Sequence, residues 1–480
     1  MGFELDKNLI SFDARRLNTP AVVFRNSKTV TDYDASWSLY SHKFIHSPPQ
    51  KGVRFANYDV NGQGDLPVLA EFGQLFMKEL NSRWTWNSGN SRIVTDWNDF
   101  TTCLQMSTNS DCNIVVMQEK DTAKYTQVKQ EGDLTYGKHT VCVTYPLCRE
   151  PPKQFLTNLA LKVNMKLGGN NWRLDNVATY FPGRHDETII LGADVTHPAF
   201  GLPLGSPSVA CVVGSLDSSF MNYPGSMRLQ PGRQEMIENM EDMVQERLEA
   251  YREKNGKYPT RMIFYRDGIS ESQYAECQRL EIKAVLQAYK NLTKADLKLT
   301  FLVVGKRHHT RFFPLTTNDA VVKNGNCRPG LLVDNYVTDP GYKNFYLQSH
   351  NGIKGTARSA HYHMLHNDVT WGTDQLENLT HHLCYSFARA TKGVSYAAPA
   401  YIADQLCERG RLYLKGFTGA FPAPPNLEGK SKEQRESDMR SWKKDCVDTV
   451  YSSPAWKHYD AARRRYNPWH ENLDNSMFWM

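Results

Sequence analysis

Two apolar runs, each ending in an aspartate, constrain the fold of this chain more than any other feature of its sequence. They are Thr188-Ile-Ile-Leu-Gly-Ala-Asp194 and Arg261-Met-Ile-Phe-Tyr-Arg-Asp267. A short, continuous apolar run is typical of a strand that is buried on both faces, as in a parallel sheet. Because the carboxyl ends of such strands form one edge of an open α/β sheet, we expect both aspartates at that edge.

The elements around these runs come in an order that favours the ribonuclease H fold. Three strands come first, and helices then alternate with strands, which implies a parallel sheet. The expected elements are strands at Ile189–Asp194, Ser208–Ser215 and Ser226–Leu229, a helix over 233–254, a strand at Met262–Asp267, a helix over 273–290 and a strand at Leu297–Val304.

The first third of the chain predicts a smaller α/β domain. Between residues 52 and 165, strand candidates such as Val53–Tyr58 and Asn113–Met117 alternate with helix candidates, and the last helix runs from Pro151 to Leu167. Such alternation is typical of a parallel sheet. Residues 1–51 are mixed and polar, which indicates a linker that lies on a larger body.

Residues 418–470 interrupt the regular pattern. Pro422, Pro424 and Pro425 precede a charged tract from Glu428 to Lys444, so a long, partly disordered and flexible insertion is predicted here. The last residues, Met477-Phe-Trp-Met480, are apolar, and we expect them to be docked against the protein.

Composition narrows the class of protein. A chain of 480 residues is too long for one core and predicts two to four domains. Its net charge of +6 permits a nucleic-acid partner without requiring one. The ten cysteines are scattered without a Cys-x-x-Cys pair, and no apolar stretch is long enough to cross a bilayer. We therefore expect a soluble cytoplasmic or nuclear protein with reduced cysteines.

Four acidic residues stand in contexts that together predict a metal-dependent nuclease centre: Asp194, Glu235, Asp267 and Asp404. Two Mg²⁺ ions about 3.5–4 Å apart stabilise both the attacking water and the leaving oxygen of a phosphodiester, provided that hard oxygen ligands hold them. Each acid alone has a simpler explanation as a cap or turn former. Glu235 in particular would suit the first turn of the predicted 233–254 helix because the helix dipole favours negative charge there.

The sequences around the acids are more specific than the acids themselves. They read Gly192-Ala-Asp-Val-Thr-His-Pro198, Arg233-Gln-Glu-Met-Ile237, Tyr265-Arg-Asp-Gly-Ile-Ser-Glu271 and Ala398-Pro-Ala-Tyr-Ile-Ala-Asp404, with Gly305-Lys-Arg-His-His-Thr-Arg311 and Ser349-His-Asn-Gly-Ile-Lys-Gly-Thr-Ala-Arg358 in addition. In type and in order they resemble the blocks of eukaryotic Argonaute PIWI domains. The resemblance covers nearly the whole chain. The chain is similar to the C-terminal lobe of such a protein, and a fungal quelling-type Argonaute is one candidate.

This resemblance implies a domain order and a metal-binding tetrad. It implies a linker segment over 1–51, a Rossmann-like MID domain over 52–165 and a ribonuclease H-like PIWI domain over 166–480. Asp194, Glu235, Asp267 and Asp404 would be the tetrad, with Glu235 as the mobile member that completes it when guide and target bind. Many cleaving relatives carry histidine at the fourth position, and the anionic oxygen of Asp404 suits Mg²⁺ at least as well.

In the MID domain the resemblance implies a pocket for the 5′ phosphate of a guide. Its residues would be Tyr125, Lys129, Thr140, Lys162 and Lys166, joined from the PIWI side by Arg409 and Arg389. Without the resemblance, the lysine pairs would be read as solvated helix faces. Tyr125 would stack on the first base, a contact worth about 1–3 kcal/mol. Thr140 stands where many relatives have glutamine and is expected to replace it.

A third group would line the guide backbone. By resemblance it comprises Lys306, Arg307, His308, Arg311, His350 and Arg358, which on composition alone would be a generic basic surface. Contacts to phosphate and sugar are independent of base sequence and sensitive to salt.

Together these features predict a small-RNA-guided endoribonuclease that uses two Mg²⁺ ions, with Mn²⁺ as a substitute, and whose partners are a guide RNA and a target RNA. One alternative is a silencing scaffold that binds a guide and recruits partners without cutting. Another is an unguided nuclease or integrase of ribonuclease H fold, which would have no need of the lysine pocket. Tryptophan-motif silencing partners are a further family implication, but Tyr251 and Tyr258 are too few to assign their pocket.

Overall fold

The structure, a computed structural model, describes residues 8–31, 34–39, 41–48, 52–60, 65–84, 100–105, 112–372, 374–460 and 465–480. The predicted boundary at residue 51 lies outside these ranges. In the linker segment, strands β1 (Arg15–Arg16), β2 (Ala21–Phe24) and β3 (Ser27–Val30) are formed. Strands β2 and β3 pair antiparallel, and the buried Trp37 packs against Trp172, so this segment lies on the larger body.

The smaller domain has a three-stranded parallel sheet flanked by helices. Its elements are β4 (Val53–Asn57), α1 (Asp65–Arg83), α2 (Phe100–Gln105), β5 (Cys112–Met117), α3 (Thr122–Gln130), β6 (His139–Thr144), α4 (Tyr145–Arg149) and α5 (Lys153–Lys166). The strand order is β4-β5-β6, with all neighbours parallel. This confirms the predicted Rossmann-like arrangement.

The larger domain is built on one mixed sheet. Its elements are β7 (Arg173–Leu174), β8 (Thr188–Thr196), β9 (Ser208–Gly214), β10 (Gly225–Gln230), α6 (Met240–Asn255), β11 (Arg261–Asp267), α7 (Tyr274–Cys277), α8 (Lys283–Thr293), β12 (Lys298–Gly305), β13 (Leu331–Val333), β14 (Asn344–Gln348), β15 (Ala360–Asn367), α9 (Gln375–Leu383), α10 (Ala398–Leu414) and α11 (Lys432–Tyr451). Strand β7 joins β2 in a small separate sheet.

The nine strands of the large sheet lie in the order β1-β13-β14-β15-β12-β11-β8-β9-β10. Strands β8, β11 and β12 are mutually parallel at its centre, and β9 and β10 extend it antiparallel. This arrangement confirms the predicted ribonuclease H-like fold. Strand β8 runs on to Thr196, so Asp194 lies within the strand and not at its tip.

Two hydrophobic clusters cover the two faces of this sheet. Residues of β8 alternate between them: Ile189 and Leu191 pack with α6 and α8, whereas Ile190 packs with α9, α10 and the smaller domain. The cluster that contains Ile190 includes residues from Leu17 to Met480, so both domains share it. The apolar tail is buried in this cluster, as expected. None of the helices in the described ranges has the length and apolar character of a membrane span.

The helix predicted over 233–254 begins only at Met240, which corrects the position of Glu235. Residues 231–239 form a loop, in which Arg233 adopts a left-handed backbone conformation with φ 65°. The Gln230 side chain donates to the carbonyl oxygens of Gln234 and Met236 at 2.6 and 3.2 Å. Because a side chain satisfies these backbone groups, the helix cannot extend through them. The helix dipole therefore does not explain Glu235.

The insertion predicted over 418–470 as a loop contains the twenty-residue helix α11, and this part of the prediction is wrong. A capping box between Ser431 and Gln434 begins the helix. Its buried positions are Trp442, Cys446, Val447 and Val450. These few apolar residues lie at three- and four-residue spacing inside a charged tract, which is why composition obscured them.

Candidate functional site

Three of the predicted acidic residues lie on two neighbouring strands of the large sheet and on the helix that packs against them. Asp194 is in β8 and Asp267 ends the adjacent parallel strand β11. Asp404 is in α10, which packs directly on β8 at Gly192. A Cβ at Gly192 would stand 2.1 Å from the backbone carbon of Pro399, so only glycine permits this close approach. Glycine thus brings the helix carboxylate to the strand carboxylates.

The three carboxylates share a buried, electronegative environment. Burial, reinforced by the charge of Asp267, raises the pKa of Asp194 well above its usual value. Burial and the charge of Asp404 raise the pKa of Asp267 to about 6. Burial also raises the pKa of Asp404. Arg266 opposes the shifts at the first two groups without cancelling them. Burial and mutual repulsion therefore disfavour the ionised forms of these carboxylates.

Glu235 approaches this cluster from its loop. Its Oε2 lies 3.0 Å from His197 Nε2, and its Oε1 lies 3.2 Å from Arg266 Nη1. A Cβ at Gly268 would be 3.1 Å from Glu235 Oε1 and 3.5 Å from Asp194 Oδ1. Both oxygens therefore border the same small space, and the Glu235 side chain points into the site.

Sequence reasoning did not assign the residues that hold Glu235. Arg266 is fully buried, pairs with the equally buried Glu281, and donates to the main-chain oxygen of Glu235 at 2.5 Å. Glu281 also accepts from the Ile237 amide at 2.8 Å. His197 and Arg266 stand within the motif strings, next to residues that were assigned. Only their contacts with the Glu235 carboxylate reveal their roles.

The donor set fits a hard divalent cation. All four predicted ligands are carboxylates, and the buried Glu235 Oε1 is ion-paired with Arg266 at 3.2 Å but accepts no well-aligned hydrogen bond. A cation would also relieve the repulsion that raises the three aspartate pKa values. Within the described residues, no three His, Cys, Asp or Glu side chains are already gathered as closely as metal ligands are.

The predicted phosphate-binding residues lie together where the two domains meet. Lys129 donates to the main-chain oxygen and the hydroxyl of Thr140 at 2.9 and 2.8 Å, and its Nζ lies 5.2 Å from the centre of the Tyr125 ring. Lys166 donates to the main-chain oxygen of Phe478. Arg409 donates to the Trp479 oxygen at 3.1 Å. The buried tail therefore forms part of this pocket.

The charges of the pocket are unbalanced. Burial, together with Arg389 and Lys129, lowers the pKa of Lys162 to about 8. Burial and Lys129 lower the pKa of Lys166, and burial lowers that of Arg389. These shifts are those expected of cations that are crowded together away from water. The pocket would therefore be stabilised by an anion.

Asp133 is an acidic partner of this pocket that sequence reasoning missed. Its carboxylate pairs with Arg409 at 2.5 Å and accepts from the Tyr413 hydroxyl at 2.7 Å. Burial acts to lower the pKa of Arg409, but Asp133, Tyr125 and Tyr413 together outweigh burial and raise it. Arg409 thus stays charged and is fixed across the domain boundary. Arg389 lies nearby and donates to Gln405 Oε1 at 3.2 Å.

The predicted guide-backbone residues follow the end of β12 and the turn before β15. Lys306 donates to the Ser395 hydroxyl at 2.6 Å, His308 Nε2 lies 2.8 Å from the Ser359 oxygen, and Arg358 donates to the Lys306 oxygen at 3.4 Å. Arg311 donates to the main-chain oxygens of His308 and Thr310 at 3.0 and 2.7 Å. Arg307 and Arg358 are exposed and available to a ligand.

The histidines of this group differ in charge from its other members. Burial lowers the pKa of His308, and burial together with Lys306 lowers the pKa of His350 to about 4. Both imidazoles are therefore neutral at physiological pH. Positive charge on this surface comes from Lys306, Arg307, Arg311 and Arg358.

A separate cavity of about 580 Å³ lies along α6, and its lining includes none of the four predicted acidic residues or the predicted phosphate-binding residues. Its lining includes Asp242, Glu246, Glu249, Glu253 and Glu471. These carboxylates outnumber the arginines beside them and would repel a phosphate backbone. Volume alone is therefore a poor guide to the functional site of this molecule.

Comparison with known proteins gives one family. The sequence model of the Piwi domain matches residues 112–415. Protein argonaute 18 of Oryza sativa subsp. japonica is 33% identical over 463 residues, which cover 92% of this chain and 42% of that protein. The chain thus spans less than half the length of this relative.

Solved structures agree in fold. The C-terminal lobe of a budding yeast Argonaute has a TM-score of 0.77 at 23% identity, with 97% of this chain and 95% of that chain covered. Kluyveromyces polysporus Argonaute with a guide RNA has a TM-score of 0.75 at 24% identity, with 97% and 53% covered. At these identities the similarity concerns the fold.

Proposed function

Because this chain belongs to the Argonaute family and carries its Piwi domain, we propose that it binds a small guide RNA and acts on RNA paired with it. The observation that carries this proposal is the buried pocket in which Lys129, Lys162, Lys166 and Arg389 outnumber their acidic partner. A 5′ phosphate supplies the compensating charge. The guide RNA bound to the K. polysporus protein supports the same ligand class.

Within this pocket the residues have different tasks. Lys162 makes no hydrogen bond or ion pair with the described residues, so its ammonium group is free to meet the phosphate. Lys129, with Thr140, and Lys166 are already oriented by main-chain oxygens. Tyr125 offers its ring to the first base. Arg409 contributes charge from the PIWI side, and its orientation depends on Asp133.

We further propose that the molecule cleaves the target RNA. Asp194, Glu235, Asp267 and Asp404 would hold two Mg²⁺ ions, with Mn²⁺ as a substitute; when bound, such ions activate water and stabilise the leaving oxygen. His197 and Arg266 keep the Glu235 carboxylate turned toward this space. Lys306, Arg307, Arg311 and Arg358 would follow the guide backbone, with His308 and His350 as neutral polar contacts.

The proposed partners are a guide RNA and a target RNA, in the cytoplasm or the nucleus. Tryptophan-motif partners remain a prediction of the family alone. Tyr251, one of the two tyrosines considered for them, is buried and donates to the Asp186 oxygen at 2.9 Å. It is therefore not available on the surface to receive another protein.

Guide binding is tested with two RNAs that differ only at the 5′ end. A 5′-phosphorylated guide should bind at least about tenfold more tightly than the 5′-hydroxyl guide, because charge-assisted hydrogen bonds contribute about 1.5–3 kcal/mol. Fluorescence anisotropy at fixed salt measures both. Equal affinities would contradict the proposed pocket.

Cleavage is tested with Asp267→Asn, which keeps the shape of the side chain and removes its charge. The variant should bind the guide normally and lose cleavage of a paired target in Mg²⁺. Asp296→Asn is the matched control because Asp296 is 93% exposed and remote from the cluster. Undiminished cleavage by Asp267→Asn would refute the metal site. If the unmodified chain bound the guide but did not cleave the target, this result would favour the alternative function, a silencing scaffold that recruits partners without cutting.

A further inference from the structure

Helix α11 lies against the loop that follows the strand of Asp194. The loop joins β8 to β9 and contains Gly205, whose φ is 98°. A Cβ at Gly205 would stand 2.7 Å from Cys446 Sγ and 3.3 Å from the Trp442 ring, so the helix and the loop are in close contact. The insertion thus reaches the neighbourhood of Asp194 and His197.

This loop in turn supports the loop that carries Glu235. A Cβ at Gly232 would stand 2.4 Å from the Ser206 oxygen. The Arg233 amide donates to the Ser208 hydroxyl at 2.9 Å, and the same hydroxyl lies 2.9 Å from His197 Nδ1. The two loops therefore form one packed layer beneath the cluster.

Lys443 connects α11 to this layer directly. Its Nζ donates to the main-chain oxygen of Gly232 at 3.2 Å, three residues before Glu235. Among the described residues, Lys443 is the recorded donor to that oxygen. The contact spans 211 residues of sequence, so it exists only because the insertion folds back onto the sheet.

The helix is itself firmly anchored. The Tyr451 hydroxyl accepts from the Leu229 amide at 2.8 Å, at the edge strand β10 that leads into the Glu235 loop. Val447 and Val450 are buried in the shared core, and the Trp442 indole donates to the Pro422 oxygen at 2.9 Å. Helix α11 is thus packed against the rest of the protein from Trp442 to Tyr451.

We propose that α11 is a positioning element for Glu235, with Lys443 as its positioning residue. By holding Gly232, Lys443 stabilises the closed arrangement of residues 231–239, in which Glu235 lies beside Asp194. This inference rests on the proposed function for the role of Glu235 in cleavage.

The test compares hydrogen–deuterium exchange in three variants of the 480-residue chain. Lys443→Ala removes the donor, Lys443→Arg keeps a donor, and Lys444→Ala removes the same charge one residue away. Lys444 is exposed and makes no hydrogen bond or ion pair with the described residues. Amides of the loop that are bonded in the closed state, including those of Arg233, Ile237 and Glu238, report its opening.

Lys443→Ala should raise exchange across 231–239 about fivefold, which corresponds to about 1 kcal/mol at 1.4 kcal/mol per factor of ten. Lys443→Arg should restore protection, and Lys444→Ala should leave it unchanged. In Lys443→Ala, the exchange rates within α11 and the melting temperature should stay unchanged. This result would distinguish loss of local positioning from general destabilisation. Unchanged exchange in Lys443→Ala, or an equal rise in Lys444→Ala, would overturn the proposal.

This result does not depend on cleavage. If the unmodified chain fails to cut a paired target while the exchange pattern follows Lys443, the positioning holds and the proposed catalytic function fails. If the chain cuts and the exchange pattern ignores Lys443, the function holds and the positioning fails.

Discussion

At the scale of single residues, the environment of a side chain decides more than its type. Lys162 and Lys166 belong to the same helix face, yet Lys166 is bonded to the tail and Lys162 is not. His350 is neutral beside Lys306, although sequence reasoning grouped both as one basic surface. In the carboxylate cluster, the positions of Arg266 and His197 explain why Glu235 lies inward.

The pKa of Lys162 leads to a pH-dependent prediction. Because burial and neighbouring cations lower this pKa to about 8, Lys162 loses its charge as the pH rises above 8. Binding of an anion favours the protonated form, so affinity for a 5′-phosphorylated guide should fall above pH 8, by at most about tenfold per pH unit for this group. Titration by fluorescence anisotropy from pH 7 to pH 9.5 measures the decline.

Lys162→Arg is the matched comparison, because its guanidinium stays charged throughout this range. The affinity of the variant for the guide should decline less steeply with pH than that of the unmodified chain. The difference between the two slopes is the contribution of Lys162. Identical pH profiles would mean that Lys162 does not contact the phosphate. A 5′-hydroxyl guide should show no such difference.

At the scale of elements, the site depends on how closely α10 approaches β8. Neither element brings two carboxylates together by itself. Their contact at Gly192 sets the separation between Asp194 and Asp404, and Gly410 allows the same helix to lie close to Val209 and Met227. The helix is thus packed along the sheet at two points, and backbone contact leaves little room for adjustment.

Gly192→Ala should therefore be costly. Its Cβ would stand 2.1 Å from the Pro399 backbone, and such overpacking typically costs about 1–3 kcal/mol. Chemical denaturation should show this loss, together with a larger fall in cleavage than in guide affinity. Gly305→Ala is the control, since a Cβ there meets nothing within 4 Å and the residue has no positive φ. Equal stability of the two variants would contradict the packing argument.

At the scale of the whole molecule, the two domains act as one body. A single hydrophobic cluster runs through both, and polar contacts cross the boundary as well. Arg409 of α10 pairs with Asp133, and the Gln130 side chain donates to the Leu412 oxygen at 3.0 Å. The phosphate pocket is formed from both sides of this boundary. Its geometry therefore depends on the domains remaining docked.

We predict that the chain unfolds in one cooperative transition in differential scanning calorimetry. Asp133→Ala should lower that single melting temperature by about 3–5 °C, because breaking a buried ion pair costs about 3–5 kcal/mol and the entropy of unfolding is about 2.1 cal/mol/K per residue. Asp296→Ala, at an exposed position, should leave it unchanged. Two separate transitions, or a shift in only one of them, would show that the domains unfold independently.

Features that depend on neighbouring residues could be predicted from the amino-acid sequence. The apolar runs of β8 and β11 identified the central strands, alternation identified the smaller parallel sheet, and the motif strings identified the family. The apolar tail was also expected to be docked. In each case the pattern of apolar and polar residues lies within one short segment, so it can be recognised without knowing which distant residues that segment contacts.

The position of Glu235, the presence of α11 and the orientation of Arg409 depend instead on contacts between remote parts of the chain. The Glu235 loop is shaped by Glu281, Ser208 and Gln230, and Arg409 is fixed by Asp133, 276 residues away. Buried polar groups must find partners, and the fold brings those partners from remote parts of the chain. For this reason the types of the site residues could be predicted from sequence, whereas the contacts that hold them could not.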